Sequence, residues 1–237
     1  VPRAMAVVNP LKVILTNWPQ DRREDLTLEN HPDHPEMGSH TVTLTREIYI
    51  EKEDFMEVPP KKYFRMFPGG EVRLKGAYIV RCDGCEKDAD GNITAVLCTV
   101  DLDTRNGTEG ANRKVKGTLH WVSASEGLPF EARLYEPLLR EEGSADDVPA
   151  DSAADEEETT SMSSAADNKN FLSRLNPNSL TVCQGYMEPF LASAKVGDTF
   201  QFLRMGYFCK DQDSTDVLPV FNRVVGLKDT FKKQVSL

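Results

Sequence analysis

The stretch Lys114–Tyr135, KVKGTLHWVSASEGLPFEARLY, decides how this chain is read. Val115 to Val122 and Phe130 to Tyr135 are rich in β-branched and aromatic residues, which suit a pleated, half-buried surface. Between them Ser123, Ala124, Ser125 and Gly127 form a small-residue corner closed by Pro129. Runs of short strand-like segments lie on both sides. The stretch therefore reads as the crossing between two all-β units, with Trp121 anchoring it in a core.

Working outward towards the N-terminus, Leu11 to Thr16 reads as a buried strand between Asn9-Pro10 and Trp18-Pro19. His40 to Ile50 alternates apolar and polar residues, with a shift of phase near Thr45-Arg46-Glu47. Glu51 to Val58 reads as a brief helix or turn ended by Pro59-Pro60. In Lys61–Lys75, KKYFRMFPGGEVRLK, cations and aromatics interleave at strand spacing around a Pro-Gly-Gly turn. That is the composition of a surface on which RNA bases stack and phosphates pair with cations, and equally of an amphipathic hairpin with a solvated basic face. Cys82-Asp83-Gly84-Cys85 reads as a turn, and Ile93 to Leu102 pairs back across Asp88–Asn92 as a hairpin.

Towards the C-terminus, Leu180 to Gln184 reads as a strand, Phe200 to Cys209 as an aromatic hairpin and Val217 to Leu227 as the last strand. Gln201 falls on the face opposite Phe200 and Phe202, with Arg204 just beyond. Ten or more short strands with little helix mean barrels or sandwiches.

The formal charge is −10, from 28 basic and 38 acidic residues. Ten of those acids lie between Glu141 and Asn168, where there is no Lys or Arg, and without them the balance is 28 to 28. The rest of the chain is therefore neutral overall and can carry a local basic face. The segment 141–170 is Ser, Ala, Asp and Glu with almost no apolar residues, the composition of a disordered insertion or an acidic regulatory tail. At 237 residues with 39% hydrophobic content the chain can bury a sizeable core. No apolar run approaches the roughly 20 residues that span a bilayer. Position 1 is Val rather than Met, which points to a piece of a longer protein.

Five scattered cysteines, Cys82, Cys85, Cys98, Cys183 and Cys209, suggest free thiols and a reducing cytoplasm. In that setting the sequons at Asn92 and Asn106 carry no weight. His31 and His34 flank Pro32, which with Pro35 forbids a helical ligand pair, and no nearby Cys completes a metal site. Zinc at Cys82/Cys85 would need a second Cys or His pair. There is no Gly-rich phosphate loop, GxSxG elbow or metal-ligand set, so the residues alone describe a binding module.

Five ordered blocks carry a resemblance: VPRAMAV at 1–7, NHPDHPEMGS at 30–39, DADGNIT at 88–94, KVKGTLHWVSA at 114–124 and FNRVVGLKDT at 221–230. Together they resemble the C-terminal anticodon-binding region of the glutaminyl-tRNA synthetases, class I aminoacyl-tRNA synthetases, over nearly the whole chain outside the acidic segment. The eukaryotic-type glutamyl-tRNA synthetases share the architecture but do not usually carry the HWVSA and VFNR forms.

The resemblance implies an all-β fold of two consecutive barrels of the ribosomal-protein-L25-like type. The expected division is 26–114 as an inserted first barrel, and 1–25 plus 115–237 as a discontinuous second barrel containing the acidic segment 141–170. It implies a glutamine-specific tRNA as partner, not DNA or a membrane, in a monomer that acts in translation in the cytoplasm, with multisynthetase partners left open. The family attaches glutamine to tRNA with ATP and magnesium in a separate catalytic domain. Its HIGH-type and KMSKS-type signatures are not in this sequence, so the chain is expected to hold no cofactor of its own and to be inactive alone.

At positions matching the family's anticodon pockets, the resemblance assigns Arg3, Gln201 and Arg204 to the middle base, a uracil whose carbonyl oxygens suit Arg and Gln donors. Arg65 is assigned to the third base, a guanine that matches a guanidinium fork. Arg73, or Lys75 beside it, would face the first base. Lys62 stands where a bacterial relative has a neutral amide, and Lys75 replaces an Arg, losing a planar fork. Arg3 and Gln201 meet only if the two ends of the chain pair in one barrel. The reading in another functional class is a β-barrel protein-interaction module whose acidic segment recruits a basic partner.

Overall fold

The computed structural model describes residues 1–139 and 172–227. The acidic segment 141–170 lies outside them. In chain order the strands are β1 (Arg3–Ala4), β2 (Ala6–Val7), β3 (Pro10–Leu15), β4 (Glu24–Glu29), β5 (Ser39–Leu44), β6 (Glu47–Glu51), β7 (Glu71–Leu74) and β8 (Ile79–Lys87). They continue as β9 (Ile93–Asp101), β10 (Thr118–Leu119), β11 (Val122–Ser123), β12 (Leu128–Tyr135), β13 (Leu180–Met187), β14 (Thr199–Phe202), β15 (Gly206–Lys210) and β16 (Val220–Gly226). The protein is all-β, built on two barrel-like sheets.

The described residues divide into a large unit, 1–133 with 182–227, and a small one, 134–139 with 172–181. Within the small unit the Glu136 amide donates to the Ser179 carbonyl at 2.8 Å, and the Asn176 amide to that of Leu138 at 2.8 Å.

One sheet has the order β10-β7-β8-β9-β3-β6-β11. Its alternation is read directly in β3, where Leu11, Val13 and Leu15 are buried between half-buried neighbours, the period-2 pattern of a strand with one face in a core. They pack with Ile48, Ile50, Val80, Val96, Cys98 and Trp121. The two edges, β10 and β11, are separated in sequence only by His120 and Trp121, so one segment supplies both. Trp121 is buried and its indole Nε1 donates to the Lys75 carbonyl at 3.0 Å, meeting the need of a buried Trp for a partner.

The other sheet has the order β1-β14-β15-β16-β12-β13-β2. Its edges, β1 and β2, are likewise separated only by Met5. Phe130, Phe202, Phe208 and Phe221 are fully buried inside it, with Phe202 stacked on Phe208 at 4.3 Å and edge-on to Phe130 at 5.9 Å. Each such ring contributes roughly 2–3 kcal/mol through its burial. The stretch 114–135 does cross between sheets: β10 and β11 belong to the first and β12 to the second. The sheet formed mostly by residues 26–114 also takes in β3 from before that range and β10 and β11 from after it.

Three local expectations are corrected. Residues 40–50 form two strands, β5 and β6, rather than one with a phase shift; β5 pairs with β4 in a separate ribbon while β6 pairs with β3. Only Glu71–Leu74 of the 61–75 stretch is strand. Pro59, Pro60 and Pro68 have no N–H to give a ladder, and the Met66 amide is drawn instead to the Asp54 carbonyl at 2.9 Å. Cys82–Cys85 is not a turn but part of β8, where the register shifts between Cys82 and Gly84, a bulge that leaves one residue unpaired without breaking the strand.

Candidate anticodon interface

The candidate site begins at the paired chain ends. β1 runs parallel to β14 with Arg3 opposite Gln201, and Arg3 Nε donates to Gln201 Oε1 at 3.0 Å. Phe200 and Phe202 on either side of Gln201 are buried, so the strand alternation turns the amide away from the core. Beyond β14 the chain reverses through Leu203, Arg204 and Met205 into β15, with Arg204 at φ +67°. This left-handed backbone is costly for a residue with a Cβ, on the order of 1–2 kcal/mol.

The guanidinium of Arg204 reaches Asp54 with both terminal nitrogens, Nη1 to Oδ2 at 2.5 Å and Nη2 to Oδ1 at 2.7 Å. Arg65 Nη1 approaches the same carboxylate, 3.4 Å from Oδ1. Asp54, with its side chain 2% exposed, therefore stands between the arginine assigned to the middle base and the one assigned to the third. Its position is set by the 3₁₀ turn Lys52–Asp54 that follows β6.

A second buried acid continues the cluster. His120 Nδ1 lies 3.4 Å from Arg204 Nη1 and its Nε2 lies 3.3 Å from Glu51 Oε1. The arginine is only a donor, so Nδ1 accepts and Nε2 carries the hydrogen that faces Glu51. Glu51 in turn accepts the Val8 amide at 2.8 Å and the Asn9 amide at 3.0 Å. Burial, and then the Asp54 carboxylate, push the Tyr63 phenol far above its ordinary range, so it stays a neutral donor, to the Glu53 carbonyl at 3.2 Å.

The 61–67 loop presents the remaining groups. Lys62 is exposed at φ +65°. Phe64 is 48% exposed with Lys116 Nζ 4.9 Å from its ring centre, an aromatic face and a cation side by side. The loop approaches so closely that a Cβ on Gly117 would overlap the Phe64 carbonyl oxygen.

Arg73 on β7 and Lys75 just after it are held by other partners. Arg73 Nη2 donates to the carbonyls of Ala111 at 2.7 Å and Arg113 at 2.8 Å, bracing the 3₁₀ turn Glu109–Asn112. Lys75 is exposed while its backbone is fixed to Leu119 and Trp121. Arg73, Arg113, Lys114 and Lys116 line one shallow basic hollow.

Thus Arg3 is joined to Gln201, and Arg204 to Arg65 through Asp54. Asp54, Glu51 and His120 are absent from the sequence-based set of site residues. His120 lies within the block 114–124 and Glu51 ends the alternating strand β6, but neither signal marks a buried polar cluster, and nothing in the local pattern marks Asp54.

Barrel-like sheets that gather arginines, an amide and an exposed aromatic loop define a class of β-structured nucleic-acid-binding domains. Two family models, both described as class I (E and Q) tRNA synthetase anticodon-binding domains, match residues 1–101 and 118–211. The chain belongs to this family. It is 49% identical over 232 residues to a glutamine–tRNA ligase of Clostridium perfringens, covering 98% of this chain and 38% of the relative. A glutamine–tRNA ligase of Ralstonia nicotianae is 49% identical over 234 residues, covering 98% and 37%. One of Vibrio vulnificus is 46% identical over 233 residues, covering 98% and 38%. The chain spans somewhat less than two fifths of the length of these relatives.

Proposed function

We propose that this chain is the anticodon-gripping part of a glutamine–tRNA ligase, holding the anticodon loop of a glutamine tRNA while a separate catalytic part joins glutamine to the acceptor end with ATP and magnesium. The observation that carries the reading is that Arg3 and Gln201 are hydrogen-bonded where the chain ends pair, while Arg204, three residues on, and Arg65 of the 61–67 loop both ion-pair with Asp54. Arg3 and Gln201 supply the donors a uracil needs. Arg65 supplies the fork a guanine needs. Arg73 or Lys75 beside it faces the first base, and Lys62 adds an exposed cation on the 61–67 loop.

In this reading the chain binds no ATP or magnesium, acts in the cytoplasm as a monomer, leaves room for multisynthetase partners, and transfers no glutamine by itself. The names of the relatives favour glutamine over glutamate as the amino acid of the whole enzyme.

The test is binding of the chain, at one fixed moderate salt concentration, to a folded glutamine tRNA transcript and to the same transcript with its middle uracil changed. A preference for the native anticodon that Gln201→Ala abolishes supports the reading. Equal binding with a steep salt dependence would reduce the site to a nonspecific phosphate grip. Absence of binding even at low salt would favour a protein-interaction module.

A further inference from the structure

Asp54 is a buried acid that the anticodon reading does not use, yet it touches both arginines that reading assigns to neighbouring bases. The two arginines come from different sheets' connections, Arg65 from the loop before β7 and Arg204 from the turn after β14. One carboxylate faces two guanidiniums, and both approach its Oδ1. Oδ1 takes Arg204 Nη2 at 2.7 Å, while Arg65 Nη1 lies 3.4 Å from it and donates to the Glu53 carbonyl at 3.3 Å.

Resting on the function proposed above, we infer that Asp54 is the positioning residue that couples recognition of the middle and third anticodon bases. Asp54 engages both terminal nitrogens of Arg204, which fixes the plane of the guanidinium. A guanine that engages the Arg65 fork draws it away from Oδ1 and leaves the carboxylate wholly to Arg204. Filling the third-base pocket thereby fixes the middle-base donor more firmly, and by linkage the reverse holds. His120 Nδ1, 3.4 Å from Arg204 Nη1, limits the swing of the guanidinium.

The test measures tRNA binding by the unaltered chain, Asp54→Asn and Asp54→Glu, each checked for folding by its thermal transition. The transcripts are native, changed at the middle base, changed at the third base, and changed at both. For the unaltered chain the double change is expected to weaken binding at least 3-fold less than the product of the two single effects. Asp54→Asn should lose about 10-fold in discrimination at both positions together, keep discrimination at the first base, and make the remaining effects multiply; Asp54→Glu should restore part of the coupling.

Independent, multiplying effects in the unaltered chain overturn the inference with no variant needed. A folded Asp54→Asn that keeps full discrimination at either position also overturns it while leaving the anticodon reading intact. An unaltered chain that binds all four transcripts equally overturns the anticodon reading itself, and the coupling with it.

Discussion

Arg3 and Gln201, 198 residues apart in sequence, face each other across a parallel bridge and are joined by a 3.0 Å hydrogen bond. The bond is only part-buried, so its net contribution to folding is about 0.5–1.5 kcal/mol. Gln201→Ala is therefore expected to lower stability by no more than about 1.5 kcal/mol while cutting preference for the middle uracil by about 1–3 kcal/mol. Urea unfolding and paired tRNA binding curves measure the two effects separately.

Glu51 has a different signature. It is 4% exposed and accepts the backbone amides of Val8 and Asn9. Glu51→Ala leaves those two N–H groups without their acceptor, and His120 Nε2 without the carboxylate it faces, at a cost of about 2–4 kcal/mol. Glu51→Gln keeps one oxygen and should cost less. The midpoint of chemical denaturation is the measurement, and the loss should appear with no RNA present.

Arg73 holds the carbonyls of Ala111 and Arg113. Arg73→Ala should release the 109–113 turn, raising amide hydrogen exchange there, and lower global stability by about 1 kcal/mol. If Arg73 is a brace and Lys75 the group facing the first base, Lys75→Ala should weaken first-base preference without changing exchange in that turn.

Acid sensitivity should centre partly on Glu24. Burial pushes its carboxyl up, but hydrogen bonds from Arg105, Tyr78 and Arg22 outweigh burial and hold it below the ordinary range. A depressed folded value means the stabilisation is fully present above the unfolded value of about 4.3 and is lost as pH falls through the lower folded value. Glu24→Gln should therefore flatten the loss of stability below about pH 4.3, measured by thermal melts at stepped pH, and change little near neutrality beyond the lost ion pair.

Much of the fold was legible because strand alternation is a local signal. Phe200, Gln201 and Phe202 announce their faces by period 2, and the buried positions of β3 do the same. The small-residue corner after Trp121 correctly marked a passage from one sheet to the other. Reading the 61–75 stretch as a hairpin failed because composition reports which residues are present, not where their amides go. Three prolines and the pull of the Asp54 carbonyl on Met66 left only four residues to the ladder. Cys82–Cys85 misled for a related reason, since a Gly beside an Asp signals a turn locally but also serves a bulge within a long strand.

The sequence by itself determined the all-β class, the alternation that buries one face of each strand, and, through five ordered blocks of resemblance, the family and the residues to inspect. Only the tertiary structure decided that Arg3 lies against Gln201 and that Arg65 and Arg204 share Asp54. Periodicity within a strand arises from the backbone's own geometry, over a few residues. An ion pair between residues 150 positions apart depends on how sheets close and on which buried charge must find a partner once water has been excluded, and no local pattern records that outcome.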